Sequence, residues 1–196
     1  MSDLLPAYLM ADLRRRYAEP QRHYHTWRHI EALLELFHEV RDRLHDAAAV
    51  EAAIYYHDAV YDPRQDDNEA RSAALVLQEG AGVLPPESLD FAWRLIEATA
   101  GHRLPPDLSE AQREDAALFL DMDLSILAVP DPAFAAYEAA IRREYAFVDD
   151  AAFRAGRRKV LEGFLERDRL YFSAHFAPRF EIPARDNLVR SLALLA

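Results

Sequence analysis

The chain contains no cysteine. That excludes disulfides, thiolate metal sites and a cysteine nucleophile. Glycine is scarce, at 5 of 196 residues, while Ala, Leu, Glu and Arg dominate, a composition that favours helix. No run alternates polar with β-branched residues, so no strand is predicted. No apolar stretch approaches the ~18 residues of a membrane span. Met1-Ser2-Asp3-Leu4-Leu5-Pro6 carries no basic region and no signal-peptide core, so a soluble cytoplasmic protein without a membrane partner is expected. Basic residues are outnumbered, 23 Lys and Arg against 34 Asp and Glu, for a net charge of −11. Such a chain has no global attraction to DNA or RNA, and no nucleic-acid partner is expected. Small anions remain possible ligands, because a bound cation and local Arg residues can reverse the field inside a pocket.

What is present suits one all-α domain over residues 1–196, a bundle of about nine helices. Hydrophobic residues make up 51 % of the chain, enough for a sizeable core. The first helix is predicted from Ser2, as N-cap, to Tyr17, with Pro20 stopping it. The second opens in Arg22-His23-Tyr24-His25-Thr26-Trp27-Arg28-His29 and continues on the apolar line Ile30, Leu33, Leu34, Phe37 and Val40. The third holds Val50, Ala53, Ile54 and His57 at i, i+3, i+4, i+7 and is expected to end near Asp62, before Pro63. Asp67 or Asn68 caps a fourth, ended by Gly80 and Gly82. Pro85-Pro86 opens a fifth, reaching Ala100 with Leu95, Thr99 and His102 on one line. Ser109 and Gln112 form a capping box for a sixth. The seventh covers Phe134 to Phe147, the eighth runs from Asp149 or Asp150 towards Phe172, and the ninth carries Asn187 to Leu195.

Four polar groups fall on the inner faces of three apolar helices: His29, His57 with Asp58, and an acid at Asp121 or Asp123. A buried carboxylate costs several kcal/mol unless paired or bound to a cation. Each group has an ordinary explanation alone, as a hydrogen-bonded core histidine, a turn cap or a solvated acid. Together they point to a divalent metal, for which mixed His and Asp ligands are suited.

The order His, His-Asp, Asp resembles the HD superfamily of metal-dependent phosphohydrolases, and a small uncharacterised single-domain branch of it in particular. The likeness is carried by Tyr24-His25-Thr26-Trp27-Arg28-His29-Ile30, His57-Asp58-Ala59-Val60-Tyr61-Asp62-Pro63, Asn68-Glu69 with Ser72, Thr99 with His102, and Asp121-Met122-Asp123-Leu124-Ser125. It continues through Ile141-Arg142-Arg143-Glu144-Tyr145, Gly156-Arg157 and Ala184-Arg185-Asp186-Asn187-Leu188. The resemblance implies an all-α bundle with the metal between helices. Its ligands would fall on His29, His57, Asp58 and Asp123, with Asp121 as the alternative last ligand. The metal would be Mn, Fe, Ni, Zn or Mg. Asp58, Glu69 and His102 are the expected catalytic groups: Asp58 to orient the water, Glu69 as a possible general base, His102 to reach phosphate. Arg28, His25 and Arg157 are the expected substrate contacts, with Arg22, Arg142, Arg158 and Lys159 as further basic residues. The implied substrate is a small phosphorylated molecule, a nucleotide being the leading choice. The other class of function consistent with the sequence is a non-catalytic nucleotide- or metal-binding regulatory module. Oligomeric state is not legible.

Overall fold

The computed structural model describes residues 4–195. Among them are nine α-helices and no strand, the all-α class the sequence predicts. They form two compact units, one ending at Leu120 and the other starting at Asp121. The first holds α1 (Ala7–Arg16), α2 (Trp27–Val40), α3 (Ala47–Tyr56), α4 (Asn68–Gly80), α5 (Pro86–Thr99) and most of α6 (Glu110–Asp123). The second holds the last residues of α6, a 3-10 turn at Leu124–Ala128, α7 (Asp131–Glu144), α8 (Asp150–Leu165) and α9 (Ala177–Leu194).

The first unit is built round α3, which packs against α2, α4 and α5. Every residue from Ala49 to Tyr56 is buried. Fully burying a side chain such as Ile54 is worth roughly 1.5–3 kcal/mol. A helix buried all round cannot leave its end groups to water, and here they find side-chain partners. Asp46 caps the N-terminus by accepting from the Ala49 amide at 2.9 Å. Asp115 of α6 accepts from the His45 and Asp46 amides at 3.0 and 2.8 Å. At the other end, the Tyr17 hydroxyl donates to the Tyr55 carbonyl at 3.0 Å.

Several boundaries differ from the sequence reading. The first helix starts at Ala7, with Pro6 at its N-cap; Ser2 lies outside the described residues. α2 starts at Trp27, so His25 precedes it and cannot share its face. α3 ends at Tyr56, six residues before Asp62, with His57 as C-cap. Side chains from α4 take over the backbone there. Ser72 Oγ accepts from the Val60 amide at 3.0 Å and donates to the Val60 carbonyl at 3.3 Å. Asn68 accepts from the Asp62 amide and donates to the Asp62 carbonyl, both at 2.9 Å. The Ser109–Gln112 capping box forms as expected. After α5 the chain turns through His102 in a left-handed conformation, φ 44°.

In the second unit α8 stops at Leu165, short of Phe172. The segment after it is held by Glu181, which accepts from the Leu170 and Tyr171 amides, and by Arg185, which donates to the Leu165 and Arg167 carbonyls. α9 begins at Ala177, ten residues before the expected Asn187, and runs through Pro183. Asn187 is buried in it and donates to the Leu127 and Val129 carbonyls at 2.7 and 2.8 Å. No helix among the described residues is long and apolar enough to cross a membrane.

Candidate metal centre

His57 stands where α3 stops. Its Nδ1 lies 3.0 Å from the Ile54 carbonyl. A carbonyl can only accept, so Nδ1 carries a proton, which in the neutral imidazole leaves the Nε2 lone pair facing into the protein. That lone pair meets His29 Nε2 at 3.1 Å and Asp58 Oδ2 at 3.1 Å. His29 Nε2 is 3.8 Å from the same Asp58 oxygen. The far nitrogen of His29, Nδ1, is 3.1 Å from the Tyr24 hydroxyl, which can donate or accept and so permits the same tautomer. Both imidazoles are buried, and Asp58 is partly so.

α6 brings the fourth group. Phe119 sets its ring edge-on to His57, with centroids 6.2 Å apart. Asp123 follows four residues later, about one helical turn further along the same helix. His29, His57 and Asp123 form a buried group in which one ligand atom of each lies within 4.8 Å of the others. Asp121 is not part of it. Its two oxygens accept from the Phe172 and Ser173 amides at 2.7 and 2.8 Å. Burial pushes the Asp121 carboxyl up to about 6, against the lowering effect of the Ser173 and Phe172 hydrogen bonds. Burial also raises the Asp58 carboxyl, but His57, His25 and His29 outweigh it and hold Asp58 below the usual carboxylate range.

These residues fit a divalent cation. Two ligands each about 2.1 Å from one ion stand about 3.0–3.4 Å apart, which matches the 3.1 Å contacts. Two neutral imidazoles and two carboxylates balance a charge of +2. A single proton on His57 Nε2 answers one of its two close electron-rich neighbours; a divalent ion answers both.

The other predicted residues are placed as follows. His25 stacks on Tyr61 with centroids 4.2 Å apart and lies 6.4 Å, edge-on, from His29, beside the cluster. Glu69 is in the first turn of α4 and half-buried. His102 is half-buried in its turn and is not one of the His29–His57–Asp123 group. Arg28 is exposed. Arg157 is buried in the second unit, ion-paired with Glu138 and donating to the Tyr137 hydroxyl at 3.1 Å. Its charge is therefore already answered by protein. Arg142 donates to the Tyr145 and Val148 carbonyls, and Arg158 to the Leu195 carbonyl.

Arg22 is also spent on backbone. It donates to the carbonyls of Asp58 at 2.7 Å, Ala59 at 3.1 Å and His25 at 3.1 Å, and its Nε reaches Glu19 at 3.0 Å. The sequence offers Arg22 only as a further basic residue near the site, and Tyr24 only as part of the family resemblance. Tyr24 is five residues before His29, which is a hint; nothing local to Arg22 reveals carbonyl partners 36 and 37 positions away. Comparison of the chain with protein-family models, with curated proteins and with solved structures finds no match.

Proposed function

We propose that the chain is a metal-dependent phosphohydrolase that cleaves a phosphate ester or pyrophosphate bond of a small molecule. A nucleotide is the first substrate class to try, on the sequence resemblance. One observation carries the reading: His57 Nε2 faces His29 Nε2 and Asp58 Oδ2, each at 3.1 Å, and Asp123 shares a buried group with the two histidines. Such a cluster asks for a cation at its centre. His29, His57, Asp58 and Asp123 would hold it.

A divalent ion there supplies a Lewis acid for a phosphoryl oxygen and lowers the pKa of a water molecule towards neutrality. The protein does the rest. The Ile54 carbonyl fixes the His57 tautomer, as partners of ligating histidines commonly do. Asp58 turns Oδ2 towards the histidines; its other oxygen makes none of those contacts and can accept a proton from the attacking water, aligning it for in-line displacement.

The test begins with elemental analysis of protein purified without chelator, beside a His57→Ala/Asp58→Ala variant. Wild type should carry close to one divalent ion per chain and the variant far less. Equal contents would overturn the reading. Phosphorylated metabolites are then screened with several metals for released phosphate or pyrophosphate. Metal uptake and nucleotide-induced melting shifts with no product would instead establish the regulatory binding module.

A further inference from the structure

Asp58 lies beyond the last residue of α3, so the helical ladder does not hold its peptide plane. Its carbonyl, and that of Ala59, need partners from elsewhere. Arg22 supplies both. The same guanidinium donates to the His25 carbonyl, in the segment just before α2 that also carries Tyr24, the partner of His29. One side chain thus ties the turn bearing Asp58 to the segment that leads into the helix bearing His29. Arg22 is itself fixed. Its side chain is fully buried, its charge is paired with Glu19, and its guanidinium carbon sits 5.0 Å from the Tyr17 ring and 5.4 Å from the Tyr61 ring.

We infer that Arg22 is a positioning residue for the metal centre: it holds the Asp58 turn in register with the His25–His29 segment through backbone carbonyls, without touching metal or substrate. The inference rests on the reading of Asp58 as a ligand. Its physical sign is diagnostic. A buried positive charge near a dication repels it, so if charge were all Arg22 contributed, removing it would tighten metal binding. If Arg22 sets geometry, removing it weakens binding. Lysine keeps the charge but lacks the planar fork that spans three carbonyls at once.

The experiment is a cobalt(II) titration followed by visible absorption, well below the melting temperature, on wild type, Arg22→Lys, Arg22→Met and Glu19→Gln. Both Arg22 variants should bind cobalt about 10- to 100-fold more weakly, the usual loss on removing a residue that orients metal ligands. The absorption band of the bound cobalt should also change shape. A residue that merely stabilised the fold would lower the melting temperature and leave both unchanged. Folded Arg22 variants with wild-type or tighter cobalt affinity would overturn the inference alone. If neither folds, Glu19→Gln decides: it loosens the Arg22 anchor from a half-exposed position and should weaken cobalt about 2- to 5-fold, whereas unchanged affinity would overturn the inference. Wild type that binds no cobalt overturns both this inference and the metal reading.

Discussion

At the scale of single residues, three carboxylates differ in what their oxygens meet. Asp58 and Asp123 face histidines; Asp121 faces amides. Sequence separates them poorly, because Asp121 and Asp123 share one apolar run and either could point inward. The deciding partners of Asp121, Phe172 and Ser173, lie some fifty residues away. The structural difference makes opposite predictions. Asp123→Asn should fold, lose most of its metal, and melt close to wild type when both are compared metal-free. Asp121→Asn sets an amide NH2 against one of two backbone N–H groups and should cost roughly 1–3 kcal/mol, the usual range for an unsatisfied buried donor. It should keep its metal. Melting curves and elemental analysis on the two variants check this together. Asp58→Asn probes chemistry. Asn keeps the shape and one ligating oxygen but not the charge. The variant should stay folded and release phosphate at least ~10²-fold more slowly, the scale of a general-base loss. If it keeps its metal and the wild-type rate, Asp58 does not orient the water, and Glu69 is next to be tested.

At the scale of elements, the helix count was legible and the helix ends less so. Local signals worked where they were sufficient: the Ser109–Gln112 box, the Asp149 cap on α8, and Pro86 at the start of α5. They failed where a distant side chain replaced the backbone ladder, as Ser72 and Asn68 do after α3 and Glu181 does after α8. The ninth helix was expected only from Asn187, yet α9 starts at Ala177 and runs through Pro183. The same replacement predicts a pH effect at the start of α3. Burial raises the Asp115 carboxyl, more than its hydrogen bonds from His45 and Asp46 lower it. Just above the unfolded value, near 3.8, native Asp115 keeps a proton that the unfolded chain has released. Its contribution is therefore fully present at lower pH and is lost as pH rises through the folded value. Asp115→Asn removes that titration but also one acceptor for two amides. The variant should be less stable than wild type by roughly 1–3 kcal/mol at neutral pH. Its stability should decline less steeply with rising pH over the mildly acidic range. Denaturant melts at several pH values measure both; parallel curves would count against the assignment.

At the scale of the whole molecule, the acidic surface and the buried cluster stand in contrast. A chain of net charge −11 repels anions at long range, so anion capture has to rely on a local positive centre. The burial of α3 adds a thermodynamic consequence. His57 ends a helix with no solvent-facing side, so it cannot leave its position without breaking the core packed on α2, α4 and α5. A cation held by His57 is then linked to unfolding itself, and its occupancy is readable as heat resistance. An ion present at 100 times its dissociation constant adds about 2.7 kcal/mol to the native state. Melting temperature measured across Mn, Fe, Ni, Zn and Mg after chelation should rank their affinities without reference to any substrate. The ranking should collapse to a common value in His57→Ala. Heat resistance would then report which cations the cluster prefers, with no turnover needed.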